Sequence, residues 1–224
     1  MPILRLSLVA ALLAFTDPAS AQTNPLEGDT RAPQAAIAVD PSGALIIPAE
    51  ARGKLLPDQD NAATGGVAFT DEEGWYRFTM PNGGTIGMVG PMRSFTFEAG
   101  TLETTCAAQR IPGGDFAEFP MSQIQAEIES IYPAFDQIIT TLGFAIDARK
   151  TMLLDYAGQR TAVPFKILAW DAHDADGVRA TWAIMPAPSG VLLFACSAEG
   201  GFGHNREVIQ RYLRIGSGMT AKPK

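Results

Sequence analysis

The sequence predicts an α+β fold, an antiparallel β-sheet with helices packed on its faces as an αβα sandwich. Three observations carry this. Strand-like alternation fills two blocks, residues 75–106 and 150–197, and a helical stripe separates them. Every aromatic residue after the first 21 lies between Phe69 and Tyr212, so one stretch holds the core.

The chain opens with a basic residue (Arg5), an apolar run from Leu6 to Phe15 and the small-residue ending Ala19-Ser20-Ala21. This is the pattern of a secretory signal over residues 1–21, with cleavage expected before Gln22. As a helix the apolar run rises only ~15 Å, against a hydrocarbon core of ~30 Å, so a membrane anchor is disfavoured. No cysteine follows the cleavage point to carry a lipid. The expected product is soluble and periplasmic or secreted, with no stable membrane insertion after signal cleavage.

Residues 22–66 contain no aromatic residue but five Pro and five Gly, a composition that cannot build a core and reads as a flexible leader. Two apolar clusters interrupt it: Ala44-Leu45-Ile46-Ile47-Pro48 and Leu55-Leu56-Pro57. Either could lie along an edge of the chain's own sheet or wait for a partner, which makes Ile46, Ile47, Leu55 and Leu56 candidate partner-binding residues.

A single α+β domain is expected over 67–217. Trp75–Met80 alternates, with Tyr76, Phe78 and Met80 on one side, and ends in the turn residues Pro81-Asn82-Gly83-Gly84. Arg93–Glu98 and Thr101–Cys106, separated by Ala99-Gly100, read as a hairpin. Met121, Ile124, Ile128, Ile131, Phe135, Ile138 and Leu142 then recur at helical spacing. Ser122 with Gln125 suggests a capping box, Gly143 a C-terminal cap, and Pro133 a kink or two abutting helices. Lys150–Tyr156, Thr161–Trp170, Arg179–Met185 and Val191–Ser197 follow at short spacing as an antiparallel meander. Both faces of Val191–Ser197 are apolar, which places that strand centrally. Asn205 is expected to cap a last helix bearing Val208, Ile209, Tyr212 and Leu213, and residues 218–224 form a disordered basic tail.

The opening Gly74-Trp75-Tyr76-Arg77-Phe78-Thr79-Met80-Pro81, the mid-chain helix, the meander and the closing strand, glycine-rich loop and helix from Val191 to Leu213 resemble the PsbP-type fold of extrinsic lumenal and periplasmic proteins. The resemblance is one of element order over residues 67–217. It implies a small αβα domain that binds or assists other proteins instead of catalysing, and it assigns no functional residue.

Composition narrows the chemistry. With 17 Lys+Arg against 24 Asp+Glu the formal net charge is -7, which argues against nucleic acid or an anionic membrane as principal partner. The C-terminal end runs the other way: Arg206, Arg211, Arg214, Lys222 and Lys224 stand against Glu207 alone. Two His and two Cys supply too few ligands for a multi-ligand zinc site or an Fe–S cluster, and no cofactor is expected. Cys106 and Cys196 both fall in predicted strands, and an oxidising compartment favours one disulfide between them.

Asp171–Gly177 superficially resembles a calcium loop, but aligning Asp176-Gly177 puts Ala172 and Ala183 where carboxylates are needed, so a hairpin turn explains it better. The motifs Gly-x-Ser-x-Gly, His-Glu-x-x-His and the phosphate-binding glycine loops are missing. Gly200-Gly201-Phe202-Gly203 comes near a dinucleotide fingerprint, but Arg206 stands where its last glycine belongs. His173 and His204 are the only bases near neutrality, and a Ser197/His204/Asp grouping can be written without a geometry to support it. Trp75 and Trp182 read as core. Trp170, alternating with Lys166 and Pro164, reads as an exposed ring and joins the partner-binding candidates. The expectation is a secreted, non-catalytic, monomeric accessory domain for an unknown protein partner. Alternatives are a lipid or metabolite carrier with a pocket between sheet and helix, and a hydrolase using His204.

Overall fold

The computed structural model describes residues 51–89, 91–157 and 164–221. The expected signal, residues 22–50 of the leader with Ile46 and Ile47, and residues 222–224 lie outside them. Among the described residues, eleven strands form two antiparallel sheets. The larger has the order β4-β5-β6-β10-β9-β8-β7, from Thr85–Val89, Met92–Ala99, Leu102–Pro112, Gly190–Ala198, Arg179–Ala187, Phe165–His173 and Ala145–Leu154. The smaller has the order β1-β2-β3-β11, from Gly53–Pro57, Val67–Asp71, Tyr76–Met80 and Leu213–Ile215. The α+β class therefore holds, with the meander and the hairpin at Ala99-Gly100 as expected.

β10 runs between β6 and β9 at the centre of the larger sheet. Its alternation divides the core. Leu192, Phe194 and Cys196 face a cluster shared with Phe69, Phe78, Phe95 and Ile209, whereas Val191, Leu193 and Ala195 face Phe116, Ile128, Phe135 and Trp182. The second face is covered by α1 (Met121–Glu127), a 3-10 turn (Ile128–Ile131) and α2 (Tyr132–Thr141), so the sequence stripe breaks into two abutting helices with Pro133 in the first turn of the second. The first face is covered by the smaller sheet and by α3 (Gly201–Tyr212), which buries Val208 and Ile209. Each layer contributes one apolar side, which is why both sides of β10 had to be apolar.

Three boundaries differ from expectation. Residues 51–66 belong to the domain: β1 pairs with β2 from Gly53↔Asp71 to Pro57↔Val67, and a 3-10 helix follows at Gln59–Thr64. Backbone pairing, which needs no aromatic residue, holds a segment whose composition alone reads as leader. Residues 217–220 form a short helix, α4 (Ser217–Thr220); Met219 is fully buried and Gly218 N–H donates to the Gly74 carbonyl, so the ordered chain runs past 217. Asn205 lies within α3, which starts at Gly201, and is buried there instead of capping the helix.

The Ser122/Gln125 capping box is likewise absent: Pro120 stands at the N-cap of α1 with no side-chain cap bond. Gln125 instead accepts from Lys166 N–H at 2.7 Å and donates to the Lys166 carbonyl at 2.9 Å. The pairing of β8 with β9 begins only at Leu168, so the Gln125 amide substitutes for the missing strand neighbour.

Candidate functional site

The cysteines form the expected disulfide. Cys106 and Cys196 are direct cross-strand partners in the β6–β10 ladder, with Cα atoms 4.1 Å apart and 90 residues between them. The bond is fully buried and staples the two halves of the larger sheet at its centre.

Trp170 is a correction. It is fully buried, its Nε1–H donates to Asp136 Oδ1 at 2.7 Å, and its ring meets those of Tyr132 and Phe135 edge-on. Alternation along β8 is real, but α2 lies over the face that carries Trp170; the polar neighbours that suggested exposure belong to the strand's beginning. Trp75 and Trp182 are core, as expected.

The histidines do not assemble with Ser197. His204 Nε2 lies 3.1 Å from Thr104 Oγ1, while Ser197 Oγ donates to the Arg179 carbonyl. His173 Nδ1 is 2.8 Å from Asp147 Oδ2, and Asp147 occupies an irregularity in the β7–β8 register. In the Asp171–Gly177 stretch, Asp171 is buried and accepts from Thr181 Oγ1 at 2.9 Å and from Arg206, tying α3 to the sheet. Asp174 Oδ1 accepts from the N–H groups of Asp176 and Val178, as a hairpin turn requires. No group of three metal-ligating side chains occurs among the described residues. The crevice lined by Phe116, Phe119, Gln123, Ile124, Glu127 and Ile131 has a volume of about 10 Å³, room for one water.

Leu55 and Leu56 form the site that remains. Both lie in β1, the outer strand of the smaller sheet, and they are 51% and 56% exposed, one on each face. All five residues of β1 are exposed, yet both of its ends are anchored. Before it, the buried Arg93 guanidinium donates through Nε at 2.8 Å and through Nη2 to the Ala51 carbonyl, and through Nη1 at 3.3 Å to that of Gly87, with its Cζ over the Phe69 ring. Burial lowers the pKa of Arg93. After it, the buried Asp58 accepts from Arg77 at 3.0 Å and from Asn61 at 2.6 Å, while its N–H donates to Gly66.

On the outer face, the registers of the four strands align Lys54, Thr70, Arg77 and Arg214 in one row. The partner of Arg77 lies inside: its side chain is 38% exposed and that of Asp58 5%. Arg214 meets Asp155 only at 4.0 Å. This basic row on an acidic chain was not legible in the sequence, because its members are scattered from 54 to 214 and only sheet register brings them together.

Beneath the smaller sheet, Arg110 reaches Asp71 (Nε–Oδ1 3.2 Å) and Glu73 (3.0 Å), with its Cζ 5.4 Å from the Trp75 ring centroid. Burial raises the pKa of Asp71, opposed by the Trp75 N–H and by Arg110. The pair joins β2 to β6 and so fixes the two sheets on each other. No helix among the described residues is long and apolar enough to cross a membrane. Neither family models nor curated proteins match this chain.

Proposed function

We propose that the protein is an exported, non-catalytic accessory domain that recruits a protein partner of a periplasmic or membrane-associated assembly through β1. The observation that carries this reading is an anchored edge strand bearing two leucines that its own core does not cover. An edge strand offers unpaired backbone groups to another chain; Lys54 and Pro57 limit that pairing, but Leu55 and Leu56 stay uncovered between them. The signal-like N-terminus and the buried disulfide support an oxidising destination, periplasmic or secreted. The PsbP-type reading draws support from α1 and α2 lying on one face of the larger sheet and α3 on the other, although that other face is shared with a smaller sheet that the αβα expectation does not include.

A photo-reactive amino acid at position 56, with one at the exposed Thr140 as control, tests the proposal in the native host. A discrete protein adduct formed from position 56 and not from 140 is expected. Identical adducts at the two positions, or none at either, would overturn it.

A further inference from the structure

Resting on that reading, we infer that β1 receives its partner by antiparallel strand addition, and that the incoming segment is extended and carries acidic side chains on one face. The backbone decides which groups face outward. Glu72 N–H donates to the Arg52 carbonyl, and Asp58 N–H to the Gly66 carbonyl, so the even-numbered residues from 52 to 58 point their amides and carbonyls at β2. The odd-numbered ones point away: Gly53 and Leu55 present both N–H and C=O to the free edge, and Pro57 presents its carbonyl. No described strand lies on that side. Pro57 sits where its missing N–H costs the β1–β2 ladder nothing, as edge prolines do. It also ends the usable edge, leaving room for a short segment only.

Side chains specify the occupant. Lys54 and Leu56 share the outer face with the row running to Arg77 and Arg214; Leu55 shares the inner face with Phe69. A segment added beside β1 would place a carboxylate next to Lys54, whereas Arg77 and Arg214 farther along the row already stand beside Asp58 and Asp155. Apolar residues on its inner face would cover Leu55. A second copy of this chain fits poorly: it would bring a second Lys54 to the same edge, and five-residue strands pair over far less than the ~1,200 Å² of a stable interface. Because both ends of β1 are anchored, only the incoming segment loses freedom on docking.

The test measures fluorescence anisotropy of the purified protein with a labelled Val-Glu-Val-Glu-Val-Glu-Val peptide and its Val-Lys counterpart. The acidic peptide should bind tighter by about threefold or more, and Lys54→Glu should reverse the order. Leu55→Pro removes an outward N–H without touching the β2 ladder, so it should leave the melting temperature in place and weaken binding roughly tenfold. Equal binding of the two peptides, binding of neither, or acidic-peptide binding unaffected by Leu55→Pro in a folded variant would overturn strand addition by an acidic segment. Adducts at position 56 together with any of these results leave β1 as a docking site by side chains alone; loss of the adducts as well removes the site itself. Sedimentation of the protein alone as a Leu55-dependent dimer would replace the acidic segment by a second copy.

Discussion

Gly53 has no space for a side chain. A Cβ placed there would lie 2.3 Å from the Phe69 ring and 2.5 Å from the Thr70 carbonyl oxygen, both fixed by the core and the sheet. Gly53→Ala should therefore cost about 1–3 kcal/mol in urea denaturation, the penalty of overpacking, because Phe69 cannot move without disturbing Phe95. Asp136 shows a different kind of constraint. Partial burial pushes its pKa up, but hydrogen bonds from Arg149 and Trp170 outweigh that and hold it below the usual carboxylate value. A carboxyl with a depressed folded pKa adds stability above its unfolded pKa, near 4, and loses it as pH falls through the folded value. Asp136→Asn should lower stability near neutrality by about 1–2 kcal/mol and flatten the acid limb below about pH 4, read from denaturation midpoints across pH. Neither constraint can be seen in the sequence. Asp136 precedes Arg149 and Trp170 by 13 and 34 residues, and only the packing of α2 on β7 and β8 joins them.

At the scale of elements, the disulfide is a covalent tie across the larger sheet. It spans 90 residues and joins the central strand to β6. Replacing both cysteines with serine should cost about 4 kcal/mol by chain entropy, measured as the loss of unfolding free energy in denaturant; reductant applied to the unfolded wild type should match it. The pairing was legible because the chain has only two cysteines, both in alternating segments. Helix starts were less so. Ser122/Gln125 has the spacing of a capping box, yet Gln125 serves the unpaired start of β8, a demand made by a strand 41 residues away. Asn205 likewise reads as a cap but lies one turn inside α3, because the glycines at 200 and 201 let the helix begin earlier, with Gly201 at a φ of 69°.

At the scale of the whole molecule, the smaller sheet is assembled from distant parts of the chain: β1 to β3 near the described beginning and the three-residue β11 near its end. Its existence changes where truncation is tolerated. A chain beginning at residue 51 should keep its near-ultraviolet circular dichroism and cooperative melting. One beginning at residue 67 should lose melting temperature by several degrees, because it removes β1, the Arg93 contact with Ala51 and the Asp58–Arg77 pair. Equal melting of the two would show β1 to be dispensable to the fold.

The amino-acid sequence by itself determined the class of fold, the meander, the centrality of β10, the broken helix and the disulfide. Each is written in local periodicity or in the count of a rare residue. Tertiary structure alone decided that Trp170 is covered, that residues 51–66 are part of a sheet, and that Lys54, Arg77 and Arg214 share one row. Alternation tells which residues share a side of a strand, but not what lies over that side. Burial and cross-strand neighbours depend on contacts between residues far apart in the chain, and those exist only once the layers have packed.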